Sequence, residues 1–257
     1  MSTRTAIVTG GSGGIGLAIA AGLVGRGYDV VLTARREDRL RAAAEKIGAR
    51  YVVADAADEQ QMAAVMAAVD EVHLLVHAAG VLQGTFVRKL SLDDLDQVLR
   101  ANLRSGFVTT QAVLTKMPIG GRLIYIGSSA SKEPMKGRTA YSASKAGLDA
   151  FASALRREVA RDGINVNVVI PAPVETEILE EVTFEMVALQ SSDVVDAVLF
   201  LDGLHPRVVI PEIFMYANPE GPLAPPPLLP PAAQAKLLPP AAQAKLLPPA
   251  AKAKQQP

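Results

Sequence analysis

The chain has 257 residues, 49% of them hydrophobic and 4% aromatic, and its 26 basic residues balance 26 acidic ones. This length and hydrophobic content suit one large α/β domain, whereas a neutral chain poor in aromatic residues lacks the basic and stacking surfaces of nucleic-acid binders. The absence of cysteine excludes disulfides, thiolate nucleophiles and cysteine-ligated metals, and the three histidines have no metal-ligand spacing. No segment has the pattern of a signal peptide or a membrane span. We therefore expect a soluble, cytoplasmic protein without a metal, nucleic-acid or membrane partner.

The first motif along the chain is a glycine-rich turn, Thr9-Gly-Gly-Ser-Gly-Gly-Ile-Gly16. It follows the apolar run 6–8 and opens the amphipathic stretch 17–24, which is the pattern of a strand, a turn and a helix start. Glycines at 10, 14 and 16 let the backbone adopt positive φ and approach a ligand, while the first N–H groups of the helix attract an anion. The turn predicts a pyrophosphate site, the alternative being an unrelated tight turn. Its candidate contacts are Gly10, Ser12, Gly14, Ile15 and Gly16.

Strand and helix patterns then alternate along the chain. This alternation predicts a parallel sheet with helices on both faces and a ligand at the carboxyl ends of the strands. Pro211 marks the last strand as an edge strand. Further strands are predicted at 29–36, 50–55, 72–80, 121–128, 164–170 and 207–216, and helices at 37–47, 58–69, 91–115 with a break near residue 102, 141–161 and 193–201.

The composition changes after Asn218. From Leu228 a nine-residue unit, Leu-Leu-Pro-Pro-Ala-Ala-Gln-Ala-Lys, repeats, with a varied third copy that ends at Lys254. Proline pairs interrupt a helix and the alanine-rich remainder cannot build a core, so we predict a folded domain at 1–218 and a disordered or polyproline-like tail at 219–257. The tail is either a spacer or a docking segment for an unknown partner.

A second set of candidate residues is Ser128, Tyr141 and Lys145. Tyr141 and Lys145 are four residues apart at the start of a predicted helix, so they share one face, and Ser128 ends a predicted strand. An ammonium close to the phenol is expected to bring the pKa of Tyr141 from about 10 towards neutrality. Tyr141 would then exchange a proton with a substrate oxygen held by Ser128 while hydride passes to or from a nicotinamide. Taken singly, these residues also fit a solvated helix face and a turn serine.

Together these motifs resemble the short-chain dehydrogenase/reductase family in its common form of about 250 residues. The glycine turn matches TGxxxGxG, and Ser128 followed by Tyr141-x-x-x-Lys145 matches the catalytic pattern, over about residues 5–216 in all. The resemblance implies a single Rossmann-like, doubly wound domain with a seven-stranded parallel sheet, a nicotinamide dinucleotide cofactor, and interconversion of an alcohol and a carbonyl. Asn102 resembles the asparagine that completes the catalytic tetrad, although a helix-breaking structural role is the alternative.

The resemblance also implies further cofactor contacts. They are Asp55 at the adenine, Ala79 and Gly80 at the adenine ribose, Thr176 at the phosphate and carboxamide, and the catalytic Tyr141 and Lys145.

Three residues depart from the family pattern. His77 stands where the family has asparagine, and we interpret it as structural, so that the support of this strand must differ. Ala172 replaces a glycine, and Pro173 adds a second proline in the segment before Thr176.

The choice of dinucleotide rests on Arg35 and Arg36 at the end of the second predicted strand. Arginine pairs with the 2′-phosphate of NADP, whereas a carboxylate there would bind the ribose hydroxyls of NAD. Glu37 and Asp38 come later, on the helix. We therefore predict that NADP(H) is preferred and NAD(H) is possible; two solvated arginines are the alternative.

The predicted function is an NADP(H)-dependent carbonyl reductase of class EC 1.1.1.-, the reductive direction being inferred from the reduced state of cellular NADPH. A NAD-linked alcohol dehydrogenase and a non-catalytic dinucleotide-binding regulatory protein that acts through its tail remain alternatives. The short apolar segment 177–191 predicts an open pocket for a moderately hydrophobic small-molecule carbonyl. The resemblance further implies a homodimer or homotetramer through the helices at 103–115 and 141–161.

Overall fold

A computed structural model describes residues 3–175 and 188–218. Seven parallel strands form one sheet in the order β3-β2-β1-β4-β5-β6-β7, which confirms the predicted fold class. The strands are β1 (Thr5–Thr9), β2 (Asp29–Ala34), β3 (Arg50–Val53), β4 (Leu74–His77), β5 (Arg122–Ile126), β6 (Asn165–Pro171) and β7 (Glu212–Met215). The helices are α1 (Gly14–Gly25), α2 (Glu37–Ile47), α3 (Glu59–Ala67), α4 (Leu92–Leu99), α5 (Ser105–Leu114), α6 (Thr139–Glu158) and α7 (Ser191–Asp202).

The central strands are buried on both faces because helices cover both sides of the sheet. β5 and β6 are buried along their whole length, whereas the edge strands β3 and β7 are partly exposed. Alternate residues of β1 enter two separate cores: Val8 packs towards α1, α2 and α7, and Ile7 packs towards α3, α5 and α6. Such two-sided burial explains why the inner strands are continuous apolar runs.

The predicted strands exist, but several end earlier than the apolar runs suggested. β4 stops at His77 rather than at residue 80, and β7 begins only after Pro211, whose carbonyl still accepts a hydrogen bond from Val168 N at 2.9 Å. Residues 78–80 leave the sheet because the chain turns there towards the cleft described below. After β2, β3, β4 and β5 the loops thus begin two or three residues before the predicted end of the strand.

The break expected near residue 102 is a π-helical turn, Arg100–Arg104, that joins α4 to α5. Such single turns carry an extra residue and are frequent at functional sites. Helix α7 begins at Ser191, two residues earlier than predicted, because Gln190 and Asp193 form a reciprocal capping box.

The predicted tail 219–257, the predicted contact Thr176 and most of the predicted pocket-closing segment 177–191 lie outside the described residues. Across residues 3–175 and 188–218, no helix is both long enough and apolar enough to cross a bilayer.

Candidate active site

The glycine turn has the left-handed conformation that the sequence predicted, at two of its three key glycines. Gly10 has φ of 70° and Gly14 has φ of 53°. Gly16 is helical instead, and its lack of a side chain serves close packing: a Cβ there would lie 2.9 Å from the carbonyl carbon of Gly10. The expectation of positive φ at Gly16 is therefore wrong, although a glycine is still required.

Helix α1 begins at the mouth of a cleft of about 650 Å³ at the carboxyl ends of the strands. No side chain caps this helix. The backbone N–H groups of its first turn therefore supply the partial positive charge that binds an anion. The predicted residues that line the cleft are Gly10, Ser12, Gly14, Ile15, Gly16, Arg35, Arg36, Asp55, Ala79 and Gly80.

Several cleft residues were not predicted. Arg39 follows Arg36 by three residues on α2, so the helical period could have revealed it. Thr33 is buried with a hydroxyl that has no hydrogen-bond partner among the described residues. The cleft is also lined by Gln97, Arg100 and Ser105, which belong to the α4–α5 region and carry no sequence signal that would bring them to the turn.

Arg35 and Arg36 are exposed side chains that follow β2 directly. Neither forms an ion pair or a side-chain hydrogen bond with the described residues. Glu37 and Asp38 occupy the first turn of α2, as expected. The end of β2 therefore presents positive charge to the cleft.

Asp55 lines the cleft, but both of its carboxylate oxygens are already engaged. Oδ1 accepts a hydrogen bond from Ala57 N at 2.9 Å, and Oδ2 pairs with Arg100 at 2.9 Å. Its side chain thus shapes the turn after β3 and fixes Arg100 at the cleft.

His77 is fully buried at the end of β4 and connects two walls of the cleft. Ala79 N donates to Thr9 Oγ1 at 3.1 Å, and Thr9 Oγ1 forms a hydrogen bond with His77 Nδ1 at 3.0 Å. Ser105 Oγ donates to Ala101 O and therefore accepts from His77 Nε2, at 3.2 Å. This order fixes the Nε2–H tautomer.

The pKa of His77 agrees with this hydrogen-bond order. Burial and the charge of Lys145 lower it to about 3, so the ring is neutral at physiological pH. The interpretation of His77 as a structural residue is in keeping with these contacts, which join β1 and β4 to the π-helical turn.

Asn102 is fully buried at the centre of the π-helical turn. Its Oδ1 accepts a hydrogen bond from Val81 N at 2.7 Å, and its Nδ2 donates to Val81 O and to Ser144 Oγ, both at 3.0 Å. The side chain clamps the loop after β4 against α6. These contacts are those of a structural residue, which was the alternative to a catalytic role for Asn102. The side chain also lies next to Gly80.

The Ser128 hydroxyl lies close enough to Tyr141 to lower the pKa of the phenol. Ser128 Oγ accepts a hydrogen bond from Ala130 N at 3.2 Å, so this serine caps a short 3₁₀ turn, Ser129–Ser131. The turn orients the serine hydroxyl, because it fixes the backbone on which that hydroxyl stands.

Lys145 is buried, and its Nζ donates to Ile126 O at 2.9 Å. The ammonium lies 6.0 Å from the centroid of the Tyr141 ring and beside Gly80, where a Cβ would come within 3.6 Å of it. Burial lowers the pKa of Lys145 to about 8, against the charge of Asp149, which raises it. Lys145 therefore reaches the border of the cleft at Gly80 and Ile126. The residues that line the cleft do not include Asn102, Ser128, Tyr141 or Lys145 themselves.

The expected neutral pKa of Tyr141 is wrong for the protein alone. Burial raises the pKa of this hydroxyl above its ordinary value, while Ser128 and the charge of Arg138 lower it. The physical reason is that Lys145 directs its ammonium at the Ile126 carbonyl, so desolvation of the phenol dominates. Tyr141 is consequently a protonated phenol at neutral pH.

Residues 4–186 match the profile of the family described as short chain dehydrogenase. The chain belongs to the short chain dehydrogenase family. It is thus an oxidoreductase, and the resemblance noted in the sequence is confirmed. The chain is 37% identical over 182 residues to the 3-oxoacyl-(acyl-carrier-protein) reductase FabG of Salmonella typhimurium, which covers 68% of this chain and 75% of the relative.

Two further similarities bear on the site of this short chain dehydrogenase. The cyclic-di-GMP-binding biofilm dispersal mediator protein of Escherichia coli K12 is 35% identical over 178 residues, or 68% of this chain and 74% of the relative. A solved short chain dehydrogenase from Burkholderia cenocepacia J2315, in complex with NADP, superposes with a TM-score of 0.75 at 30% identity, covering 82% of this chain and 96% of that one.

The cleft of this short chain dehydrogenase fits a dinucleotide. A Cβ on Gly10 would lie 2.9 Å from the backbone of Ala78 and Ala79, whereas one on Gly13 would meet nothing within 4 Å, so the chain is compact behind the turn and open in front of it. A phosphate group therefore has room against α1. The arginines at the end of β2 would lie at one end of such a ligand, and Tyr141 and Lys145 at the other.

Proposed function

We propose that the protein is an NADP(H)-dependent reductase that converts a carbonyl compound to an alcohol. The observation that carries this proposal is the position of Lys145: it lies 6.0 Å from the centre of the Tyr141 ring and beside Gly80 and Ile126, which border the cleft that Arg35 and Arg36 also line. When bound, NADPH supplies the hydride. The chain's own residues hold the substrate oxygen and deliver the proton.

In this proposal Tyr141 is the general acid. Its buried phenol is protonated at neutral pH, which is the form that donates a proton to the oxygen of a carbonyl undergoing reduction. Ser128 would hold the same oxygen.

Lys145 and Asn102 are proposed to complete the catalytic group. The Lys145 ammonium, fixed by Ile126 O, would stabilise the phenolate left after proton transfer and contact the cofactor beside Gly80. The Asn102 amide is hydrogen-bonded to Val81, in the loop after β4, and to Ser144, on α6. It therefore holds Gly80 of that loop beside Lys145 of α6. The proposed cofactor contact Thr176 completes the set from outside the described residues.

We propose that NADP(H) is preferred because the end of β2 is cationic. Arg35, Arg36 and Arg39 all line the cleft there, and guanidinium groups pair well with a phosphate. The similar structure from Burkholderia cenocepacia was solved with NADP, which supports the same choice. The proposed substrate class is the 3-oxoacyl type named for the reductase FabG.

The decisive experiment compares the wild type with Tyr141→Phe in NADPH oxidation by 3-oxo thioesters and esters. We expect turnover to fall by at least about 100-fold, because general acid catalysis contributes about that much, while NADPH binding measured by calorimetry is retained. Tyr51→Phe on β3 is the matched control and should keep full activity. Equal turnover in Tyr141→Phe and the wild type would exclude Tyr141 as the acid.

Cofactor preference is tested by Arg35→Asp. The reversed charge should weaken NADPH binding about tenfold or more, since a charge-assisted phosphate contact is replaced by repulsion, and should leave NADH binding nearly unchanged. Arg41→Asp makes the same change on α2 outside the cleft and serves as the control. Equal weakening of both dinucleotides would argue against a 2′-phosphate site.

A second candidate function is a nucleotide-binding regulator, favoured by the relative whose name includes cyclic-di-GMP binding. Calorimetric titration with cyclic-di-GMP separates the two functions. Binding of that nucleotide together with the lack of turnover on every carbonyl tested would support the regulator.

We also propose that the protein forms a homodimer or homotetramer through α5 and α6. Phe107 on α5 is 44% exposed, and its ring lies 3.9 Å from that of Phe151 on α6, which gives the two helices a shared aromatic surface. Light scattering would give the mass of the assembly in solution.

A further inference from the structure

Arg138 lies three residues before Tyr141, at the N-terminal cap of α6. Its backbone is fixed on both sides: Arg138 N donates to Met135 O at 3.1 Å, and Arg138 O accepts from Ser142 N at 2.8 Å. The half-buried side chain is close enough to Tyr141 for its charge to lower the pKa of that hydroxyl. Arg138 thus lies at the start of the helix that carries the proposed proton donor, with its guanidinium within electrostatic reach of that hydroxyl.

The guanidinium of Arg138 lies against the backbone of Gly84, in the loop that follows β4. A Cβ on Gly84 would come within 2.5 Å of Arg138 Cζ and 2.8 Å of Arg138 Cδ, so the glycine makes room for the arginine. Phe86 approaches from the same loop, since its ring is 4.0 Å from the position of a Cβ on Gly137. The two segments 84–89 and 135–138 thus face each other beside Tyr141, and we call them the rim.

The positive charge of the rim is not compensated by the described residues. Four cationic side chains of the rim form no ion pair and no hydrogen bond within residues 3–175 and 188–218. They are Arg88, Lys89, Lys136 and Arg138. Lys132, close by in sequence, is different: it pairs with Asp149 at 3.4 Å and Glu212 at 3.2 Å. Cations held together without a counterion do not stabilise the fold, so their charge is available to a ligand.

The rim also carries exposed apolar side chains. Phe86 is 64% exposed and Met135 is 43% exposed, and they stand on its two opposing segments. An arginine between exposed apolar side chains can bind a phosphate or a carboxylate of a ligand through two hydrogen bonds. The apolar side chains can cover the carbon chain of the same ligand. Neutral substrates could use the apolar groups but not the guanidinium.

We propose that Arg138 binds an anionic group of the substrate, remote from the carbonyl that Tyr141 protonates, so that the enzyme selects carbonyl compounds bearing a phosphate or a carboxylate. This inference rests on the proposed reductase function. It adds a specificity residue that acts on the substrate, whereas the arginines at β2 act on the cofactor. Arg88, Lys89 and Lys136 raise the local concentration of anionic substrates.

The test uses matched pairs of substrates on the full-length protein. Acetoacetyl-4′-phosphopantetheine and acetoacetyl-pantetheine differ in one phosphate, and 4-carboxybenzaldehyde and its methyl ester differ in a carboxylate. In Arg138→Gln we expect kcat/KM for the anionic member of the accepted pair to fall about tenfold or more, mainly because KM rises. For the neutral member we expect kcat/KM to fall less than about threefold. The pair that responds identifies phosphate or carboxylate as the group bound.

Two variants sharpen the result. Arg138→Lys keeps the charge without the planar fork and should retain part of the preference, whereas Arg161→Gln removes an exposed charge beyond the end of α6 and should change nothing. Higher salt should reduce the wild-type preference for anions. An unchanged ratio of anionic to neutral kcat/KM in Arg138→Gln, for both pairs, would overturn the proposal.

Dissociation constants of the two thioesters, measured by calorimetry, give a readout that needs no turnover. Weaker binding of acetoacetyl-4′-phosphopantetheine alone in Arg138→Gln supports the inference even if the reaction proves to be different. A different result would reject the role of Arg138 and keep the reductase function: the wild type reduces the neutral thioester, and the wild type and Arg138→Gln bind the anionic thioester equally well.

Discussion

At the scale of single residues, His77 shows how a substituted position is supported by new partners. A histidine in place of the family's asparagine is visible in the sequence, but its partners are not, because Thr9 and Ser105 lie 68 and 28 residues away. The sequence therefore predicted a structural role and left the contacts unspecified. Folding supplies a hydroxyl on each side of the ring, and both ring nitrogens are satisfied.

His77 should make the stability of the protein sensitive to acid. The folded pKa of about 3 lies below the unfolded value of 6.5, so below pH 6.5 the unfolded chain takes up a proton that the folded chain refuses. Its contribution is fully present above pH 6.5 and is lost as the pH falls towards 3, by up to about 1.4 kcal/mol per pH unit. His77→Gln, which cannot be protonated, lacks this loss.

Urea unfolding of both proteins at pH 7 and pH 5 measures the difference. The advantage of the wild type over His77→Gln should shrink by about 2 kcal/mol at pH 5. If the two free energies of unfolding change in parallel, folded His77 takes up its proton over the same pH range as the unfolded chain, and its pKa is not lowered by folding.

At the scale of elements, the π-helical turn Arg100–Arg104 decides how the site is built. The sequence predicted a break in a long helix but not its form, since the extra residue follows from packing against the loop after β4. Asn102 was singled out for catalysis by resemblance, and the structure adds three hydrogen bonds that tie this turn to that loop and to α6.

Asn102→Leu keeps the approximate volume and removes all three bonds. The N–H and C=O of Val81 would be left without that partner, so the free energy of unfolding should drop by about 3 kcal/mol. Ser144→Ala removes only one of the bonds and should cost about 1 kcal/mol. Chemical denaturation compares the two variants, and a loss below 1 kcal/mol in Asn102→Leu would show that the clamp contributes little.

At the scale of the whole molecule, the seven-stranded parallel sheet and the position of the cleft followed from periodicity, the glycine turn and the family resemblance. The predictions differ from the structure where long-range packing decides: the end of β4, the start of β7, and the pKa of Tyr141. Sequence patterns report local preferences, whereas desolvation depends on everything that surrounds a group. The Lys145 ammonium was expected at the phenol and is instead hydrogen-bonded to Ile126 O.

We propose that residues 1–218 are a complete folding unit and that 219–257 is a separate tail. Removal of the tail should leave the Tm within about 2 °C and NADPH affinity unchanged, since Pro- and Ala-rich repeats bury little apolar surface. Removal from residue 212 onwards is the control, because it deletes β7 and its four pairs with β6, and it should lower the Tm markedly. A large loss of Tm on deletion of the tail alone would reject this boundary.

The pairing of β1 with β4 has a consequence for the order in which the molecule is made. These neighbouring strands are 68 residues apart, and Lys145 reaches the same end of the sheet only after β5 and α6 have been added. Contacts between distant parts of a chain form slowly, because the intervening loop must first be closed. During synthesis the glycine turn is therefore made long before Lys145, which follows it by more than half the chain. Cofactor bound to a growing chain would show that β1, β4, β5 and α6 have already come together.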